Sequence, residues 1–326
     1  MKKFLCALLL LLLLCTAAYA LKAGDCIGVV APASKISKEN VNIAVKLLKS
    51  QGYKVKLAPS VSSAYGHFAG TDEVRARDIN NFFRDSEVKA ILCARGGYGA
   101  ARILDKLDYD MIAKHPKPLI GYSDITALHV VLWERCRIPT IHAPMLATFA
   151  HANLNTSYTR NNFFAGLRNT KPIGKLPMPE GRMLRTMTPG QAEGVIIGGN
   201  LTVLSSLVGT PYELKGKGAL LLIEEVGEKT YRIDRMLNQL WQNGLLSRVN
   251  GIMFGDFIDC NDDEENFTLD DVLMRYAKLS GKPTIRGVPS GHGAYNAFIP
   301  FGVHAVMSAG KKGGASLVID RAAFVE

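Results

Sequence analysis

The sequence predicts an α/β protein with a mostly parallel sheet in its first half. Short apolar runs, typical of buried strands, alternate with segments of helical periodicity as far as residue 142, and such alternation forms βαβ units with parallel strands. Residues 169–191 then break the pattern with repeated proline and glycine, which is typical of a loop or linker. These observations predict two domains, residues 21–168 and residues 192–326, joined by that linker.

Five strands and four helices are predicted in the first domain. The strands lie at Cys26–Val30, residues 53–57, Val88–Cys93, the apolar run ending at Gly121, and Thr140–His142. The helices run from about Lys38 to Gly52, over Asp72–Arg84, over residues 100–107, and onward from Ser123. Because ligands bind at the carboxyl ends of strands in such a sheet, the residues that follow these strands are candidates for a functional site.

The second domain is predicted to begin with a strand near Gly194. Further strands are expected at residues 219–223 and 252–254, with a long helix over residues 231–246 between them. Thr268 and Asp271 have the spacing of a capping box and predict the start of another helix. From Gly287 onward, glycine and short apolar runs indicate strands and turns.

The amino terminus has the pattern of a secretory signal peptide. Lys2 and Lys3 precede an apolar block over residues 4–14, and Ala18 and Ala20 form an Ala-x-Ala end. We expect cleavage after Ala20 and a periplasmic or otherwise exported protein. The apolar block is too short to span a membrane comfortably, so no stable membrane insertion is expected after cleavage.

Composition excludes some classes of protein. The chain is 48% hydrophobic and 21% charged, as in an ordinary globular protein, and its net charge of +10 is spread without a basic block. Nucleic-acid binding is therefore not predicted. Four cysteines follow the signal peptide, and the absence of a C-x-x-C pair argues against a zinc site. Their disulfide pairing cannot be assigned; they are Cys26, Cys93, Cys136 and Cys260.

Gly-Tyr-Ser-Asp at residues 121–124 joins a predicted strand directly to a predicted helix. A serine on so tight a turn exposes its hydroxyl at the carboxyl edge of the sheet, as in a nucleophile elbow. The G-x-S-x-G pattern is not met, because Thr126 and Ala127 stand where glycine would be expected. The alternative is that Ser123 or Asp124 serves only as a helix N-cap.

A glycine-rich turn, Arg95-Gly96-Gly97-Tyr98-Gly99, follows the third strand. It does not fit a dinucleotide-binding loop, since Arg102 occupies the place of the third glycine. Beside a serine nucleophile, its backbone N–H groups could form an oxyanion hole. We expect the amides of Gly97 and Asp124 to be the donors.

A serine nucleophile needs a general base, and two histidines are candidates. His292 lies in a loop between glycines, whereas His142 lies at a strand end and remains a rival; the other five histidines are expected to be solvated or packed. Glu224 and Glu225 follow an apolar strand, and one of them could orient the imidazole. The alternative is an ordinary acidic turn that pairs with Lys229 or Arg232.

Together these segments resemble the serine LD-carboxypeptidases, the murein tetrapeptide carboxypeptidase family. The matching segments lie at residues 29–34, 94–99, 121–124, 198–201, 231–235 and 291–292, together with Glu224. The resemblance implies a Ser-Glu-His triad, which falls on Ser123, Glu224 and His292. It also implies a Rossmann-like amino-terminal domain, a carboxy-terminal domain with a swivelled barrel, and a homodimer.

The resemblance further implies removal of the terminal D-alanine from murein tetrapeptides, without a metal or organic cofactor. Arg95, whose guanidinium could hold the terminal carboxylate, and Asn200, within a matching segment, are expected to bind substrate. Export departs from the better-known members of the family, which act in the cytoplasm. The alternative functions are hydrolysis of peptide–nucleotide antibiotics, as in a related branch, and a non-catalytic periplasmic binding protein.

Overall fold

Two sheets organise the fold. The computed structural model describes residues 18–261, 266–312 and 314–325, so most of the predicted signal peptide lies outside the described residues. The strands are β1 Ala18–Tyr19, β2 Cys26–Val30, β3 Lys54–Leu57, β4 Val88–Cys93, β5 Leu119–Gly121, β6 Thr140–His142, β7 Gly174–Lys175, β8 Arg185–Thr188, β9 Gly190–Asn200, β10 Leu220–Val226, β11 Gly251–Ile258, β12 Thr284–Arg286, β13 Ile299–Phe301, β14 His304–Ala309, β15 Ala315–Ile319 and β16 Phe324–Val325. The α-helices are α1 Lys38–Ser50, α2 Asp72–Arg84, α3 Tyr109–Lys114, α4 Thr126–Val131, α5 Ser157–Arg168, α6 Leu201–Ser206, α7 Thr230–Gln242, α8 Leu245–Arg248 and α9 Leu269–Ser280.

The first sheet has the spatial order β13-β6-β5-β4-β2-β3. Its five strands from the first half of the chain are parallel, which confirms the predicted class of sheet. The sixth strand, β13, comes from the far end of the chain and pairs antiparallel with β6. The carboxyl ends of β2, β4 and β5 therefore meet at one edge, where the candidate residues were expected.

Helix boundaries in the first domain follow local capping. Ser37 and Thr71 cap α1 and α2 by accepting hydrogen bonds from backbone N–H groups in the first turn, and α2 has the predicted bounds. The predicted helix over residues 100–107 is instead a 3₁₀ helix, Ala100–Lys106. The helix after the elbow begins as a 3₁₀ turn over Ser123–Ile125, continues as α4, and ends in a π-helical turn.

The second sheet has eight strands in the order β7-β15-β14-β9-β10-β11-β12-β8. Its central strands β9 to β12 are parallel, and the outer strands pair antiparallel. The expected swivelled barrel is not found: within the described residues the second sheet does not close into a barrel. A single isolated bridge between Arg185 and Gly314 joins its flanks where a closed barrel would need a continuous ladder.

The predicted linker contains regular structure. Strands β7 and β8 lie within residues 169–191, and β9 already begins at Gly190, so this segment contributes to the second sheet. The long helix predicted over residues 231–246 is divided into α7 and α8, because Gly244 adopts a left-handed conformation with φ 84°. The capping box of Thr268 and Asp271 is confirmed at the start of α9.

The four described cysteines are free thiols. Cys93 and Cys260 are buried, and Cys26 and Cys136 are partly buried. Across the described ranges, no helix combines the length and the apolar character needed to cross a bilayer.

Candidate active site

Ser123 lies two residues beyond β5, in a strained backbone conformation. Its φ is 64°, a left-handed value that few residues other than glycine adopt. The helix turns that follow are not capped by a side chain, so the N-cap interpretation of Ser123 and Asp124 does not hold. A non-glycine residue held at positive φ between a strand and a helix has the backbone geometry of a nucleophile elbow.

The side chain of Asp124 ties the elbow to the glycine-rich turn. Its Oδ2 accepts a hydrogen bond from the backbone N–H of Ala100 at 2.7 Å, and the residue is 5% exposed. Burial raises the pKa of the Asp124 carboxyl to about 6. The sequence analysis considered only the backbone amide of this residue, so the role of its side chain is an addition.

The glycine-rich turn lies directly against the serine. A Cβ built on Gly96 would lie 3.0 Å from Ser123 Oγ, so the turn approaches the hydroxyl as closely as glycine allows. Gly97 has φ 102°, and its N–H has no hydrogen-bond partner among the described residues. The expected oxyanion donors, Gly97 and Asp124, therefore border the nucleophile, although their role stays a prediction.

Arg75, which the sequence analysis missed, stabilises this turn through a hydrogen bond to its last residue, Gly99. The guanidinium is fully buried, and its Nη1 donates to the carbonyl oxygens of Pro32 at 2.5 Å and Gly99 at 2.7 Å. It also forms an ion pair with Asp72. The signal was present in α2, because Arg75 shares the buried face with Ile79, and a charged side chain is seldom buried without partners.

Glu224 and His292 are hydrogen-bonded to each other. Glu224, at the carboxyl end of β10, is fully buried, and its Oε2 lies 2.8 Å from His292 Nδ1. Burial acts to lower the pKa of His292, but the Glu224 carboxylate, with a smaller contribution from Glu225, outweighs it, and the net effect is a raised pKa. The imidazole packs against the ring of Tyr122, the residue before Ser123, with centroids 5.0 Å apart.

Glu225 has a different set of partners. Its Oε1 accepts from Asn200 Nδ2 at 2.8 Å, and its Oε2 accepts from the backbone N–H and the hydroxyl of Thr202. Asn200 is only 5% exposed, and its Oδ1 caps α6 by accepting from Val203. The structure thus gives Asn200 an anchoring role, and its expected contact with substrate stays a prediction.

His142, the rival base, lies in a layer behind the elbow. It is completely buried, and its Nδ1 lies 3.1 Å from Ser290 Oγ. Burial lowers its pKa well below the ordinary value, and the neighbouring His129 adds to this effect. His129 is buried as well and donates from Nε2 to the Gly121 carbonyl. Neither imidazole is hydrogen-bonded to Glu224, so the geometry favours His292 as the base.

Both parts of the chain that carry the candidate site residues match known domain families. Residues 27–143 match the LD-carboxypeptidase N-terminal domain, and residues 193–307 match the LD-carboxypeptidase C-terminal domain. The chain belongs to the LD-carboxypeptidase family. The first match contains Ser123 and the glycine-rich turn, and the second contains Glu224 and His292.

Relatives of this LD-carboxypeptidase-family chain span nearly its whole length. A probable murein peptide carboxypeptidase of Bacillus subtilis is 39% identical over 300 residues, which cover 90% of this chain and 92% of the relative. The solved structure of a muramoyltetrapeptide carboxypeptidase from Oxalobacter formigenes is similar with a TM-score of 0.80 at 25% identity, covering 91% of this chain and 99% of that one. An MccF-like protein from Bacillus anthracis gives a TM-score of 0.83 at 29% identity, covering 93% and 99%.

Arg95 and Arg232 differ in how many of their guanidinium donors are already bound within the protein. Arg95, the first residue of the glycine-rich turn, is exposed, and among described partners it donates only from Nη1 to the carbonyl of Lys35, at 3.2 Å. Arg232, on α7, pairs with Glu228 at 3.3 Å. Arg95 therefore retains donors for a ligand. The described residues contain no group of three or more His, Cys, Asp or Glu side chains that could hold a metal ion.

Proposed function

We propose that this chain is a serine carboxypeptidase that removes the terminal D-alanine from murein tetrapeptides. The observation that carries the proposal is the Glu224–His292 hydrogen bond beside the strained Ser123 elbow, in a chain of the LD-carboxypeptidase family. The relatives named murein peptide carboxypeptidase and muramoyltetrapeptide carboxypeptidase support the substrate class.

In the proposed reaction, Ser123 Oγ attacks the carbonyl carbon between the diamino acid and D-alanine. Because Glu224 accepts a hydrogen bond from the Nδ1–H of His292, the Nε2 of the neutral imidazole is bare and can take the serine proton. The Gly97 and Asp124 amides would stabilise the oxyanion. Cleavage of the C–N bond then sends the proton from His292 to the leaving amine and leaves an acyl-serine.

Water completes the cycle. His292 accepts a proton from the water as its oxygen attacks the acyl-serine, and it returns that proton to Ser123 Oγ when the ester bond breaks. Glu224 stabilises the imidazolium formed in each half of the reaction and remains ionised throughout. The net products are a tripeptide with a new terminal carboxylate and free D-alanine.

The test is release of D-alanine from a defined tetrapeptide, followed by mass spectrometry of both products. Wild-type protein should release D-alanine without added metal, and Ser123→Ala should not. A serine-directed fluorophosphonate should label the wild type and leave the Ser123→Ala variant unlabelled. Failure of both D-alanine release and labelling would leave the periplasmic binding protein as the better interpretation.

A second candidate function is hydrolysis of peptide–nucleotide antibiotics, which the similarity to the MccF-like structure favours. It uses the same serine and differs in the leaving group. Competition between the tetrapeptide and a peptidyl nucleotide in one reaction ranks the two, and a higher kcat/KM for the nucleotide would reverse our assignment.

Export and dimerisation are part of the proposal. Export is supported by the amino-terminal sequence pattern, and Edman or mass analysis of the protein from its native host should find Leu21 first. An uncleaved cytoplasmic form would contradict it. The homodimer stays a prediction that sedimentation equilibrium measures directly.

A further inference from the structure

A serine–histidine contact lies on the side of the glycine-rich turn that faces away from Ser123. Ser34 follows β2 and is 1% exposed, and its Oγ lies 2.5 Å from Nε2 of the exposed His67. The proposed reaction does not use either residue. Ser34 belongs to one of the segments that carry the family resemblance, so its position calls for a physical explanation.

Ser34 holds the turn at both ends. Its backbone N–H donates to the Gly96 carbonyl at 3.2 Å, and its Oγ accepts the N–H of Tyr98 at 3.2 Å. Between these two contacts lies Gly97, whose N–H has no partner among the described residues. A Cβ at Gly97 would overlap Ser34 Oγ, so glycine is required for this approach. The first contact holds the peptide group that carries the free N–H, and the second holds the next peptide group along the chain, so together they fix Gly97 between them.

Hydrogen-bond accounting assigns the proton of the Ser34 hydroxyl. A hydroxyl has one proton to donate, and a buried donor is rarely left without an acceptor. Within the described residues, the acceptor near Ser34 Oγ is His67 Nε2, so the serine donates to that nitrogen. His67 then carries its own proton on Nδ1. With its proton directed at His67, the oxygen lone pairs of Ser34 are available to the Tyr98 N–H.

We propose that Ser34, oriented by His67, is a positioning residue that aims the Gly97 N–H at the oxyanion formed during acyl transfer. The inference rests on the proposed function, since it assumes that Ser123 is the nucleophile and that Gly97 is an oxyanion donor.

The first experiment compares Ser34→Ala with Ser34→Thr, which keeps the hydroxyl. Misplacing one oxyanion donor by about 1 Å costs on the order of 100-fold in rate, so Ser34→Ala should lower kcat by about 10- to 100-fold and leave KM within about twofold. Ser34→Thr should recover most of the lost kcat. Ser62→Ala, at an exposed serine of the neighbouring loop, is the matched control and should behave as wild type.

The His67 variants test the same contact from its exposed side and leave the buried Ser34 unchanged. His67→Ala should lower kcat by about 3- to 10-fold, a smaller loss because Ser34 can still accept from Tyr98. His67→Gln supplies an acceptor oxygen and should restore part of the rate. His115→Ala, at an exposed histidine near the opposite edge of the sheet, controls for loss of a surface imidazole.

A transition-state mimic separates positioning from general loss of structure. A tripeptide aldehyde forms a hemiacetal with Ser123, and its oxyanion should occupy the same hole. Its affinity should fall in Ser34→Ala by the factor seen in kcat. The affinity of the intact tetrapeptide, measured in a Ser123→Ala background, should not change. A purely structural role would weaken both ligands together.

The outcomes distinguish this inference from the proposed function. D-alanine release that survives Ser123→Ala overturns the proposed function itself. Loss of activity in Ser123→Ala, together with wild-type kcat in folded Ser34→Ala and His67→Ala, overturns only the positioning role. A rise in KM without a fall in kcat in either variant would also overturn it, because the residue would then bind substrate and not the transition state.

Discussion

The two sides of the site are held by different forces. On the nucleophile side, Ser123 has a strained φ of 64°, and the residues that follow it are held by two hydrogen bonds, from the Ala100 N–H to Asp124 Oδ2 and from the Asn200 N–H to Thr126 Oγ1 at 2.9 Å. On the base side, the side chain of His292 has one hydrogen-bond partner among the residues that the structure describes, Glu224. The position of Ser123 therefore depends on backbone geometry and hydrogen bonds, whereas the position of His292 depends on the charge of one carboxylate.

Glu224 has few hydrogen bonds to hold it in place on the base side. Its Oε1 is buried without a hydrogen-bond partner in the described part of the chain, so the carboxylate depends on His292. The loop reaches it only because Gly291 has φ 122°, and a Cβ there would come within 2.6 Å of Glu224 Oε2. A charge change should consequently disturb the base side far more than the nucleophile side.

The largest expected effect follows from removal of the proposed nucleophile or of the proposed base. Ser123→Ala and His292→Ala should each reduce turnover by about 10⁴- to 10⁶-fold, and the double variant should lose little more, because the members of the proposed triad should act as a unit. Steady-state D-alanine release measures this, with circular dichroism to confirm folding. Near-normal rates in His292→Ala combined with inactivity in His142→Ala would show that the base is His142.

Glu224→Gln should reveal the electrostatic character of the base side. We expect a loss on the order of 10³- to 10⁴-fold, together with a change in the pH profile of kcat/KM. The base must be neutral, so activity falls as pH drops through the pKa of His292. Glu224 raises that pKa, so the wild-type acid limb should lie above the ordinary histidine value of about 6.5.

Removing the carboxylate leaves the burial that lowers the His292 pKa, so the acid limb of Glu224→Gln should move to lower pH. Glu225→Gln is the matched comparison: the Glu225 charge also raises the pKa of His292, but less than Glu224 does, and Glu225 is held by Asn200 and Thr202, so its acid limb should move less. An acid limb that stays in place in Glu224→Gln would contradict electrostatic control of the base.

Arg95→Ala tests recognition of the substrate's terminal carboxylate, outside both sides of the comparison. A charge-assisted hydrogen bond contributes about 1.5–3 kcal/mol, so kcat/KM for the tetrapeptide should fall about 10- to 150-fold more than for its amidated analogue. Arg232→Ala serves as the control, since that guanidinium already pairs with Glu228. Equal losses on both substrates would assign Arg95 to the scaffold.

The smallest effect concerns stability on the nucleophile side. Burial raises the pKa of Asp124 to about 6, so the native state binds a proton that the unfolded chain has lost, and stability falls as pH rises from about 4 to about 6. Asp124→Asn is neutral throughout and can still accept from Ala100. Its melting temperature, relative to wild type, should be a few degrees higher at pH 8 than at pH 4. No difference between the two pH values would mean that the charge is compensated.

The sequence predicted the local features of the fold better than the distant ones. Caps and buried strands are encoded by neighbouring residues, which is why the bounds of α2 and β4 were predicted correctly. The structure of residues 169–191 was not, because β7 and β8 depend on partners in β15 and β12 far along the chain. The unclosed second sheet depends equally on long-range pairing.

The candidate site divides in the same way. Glycines around a turn, and a serine between a strand and a helix, are local signals, and they pointed to Ser123 and Gly97. The hydrogen bond between Glu224 and His292 joins residues 68 positions apart, and its choice relied on the family resemblance. Arg75 was missed because burial of its charge is visible only when the carbonyls of two separate loops converge on it.

The position of β13 has a consequence for biosynthesis. The first sheet ends at β6 until Ile299–Phe301 has been made, far along the chain from Thr140–His142. A nascent chain therefore emerges from the ribosome with the backbone edge of Thr140–His142 open, and an open edge can pair with other chains. Late completion of the first sheet keeps this edge unpaired while the second domain is being made, which is compatible with the export that we propose.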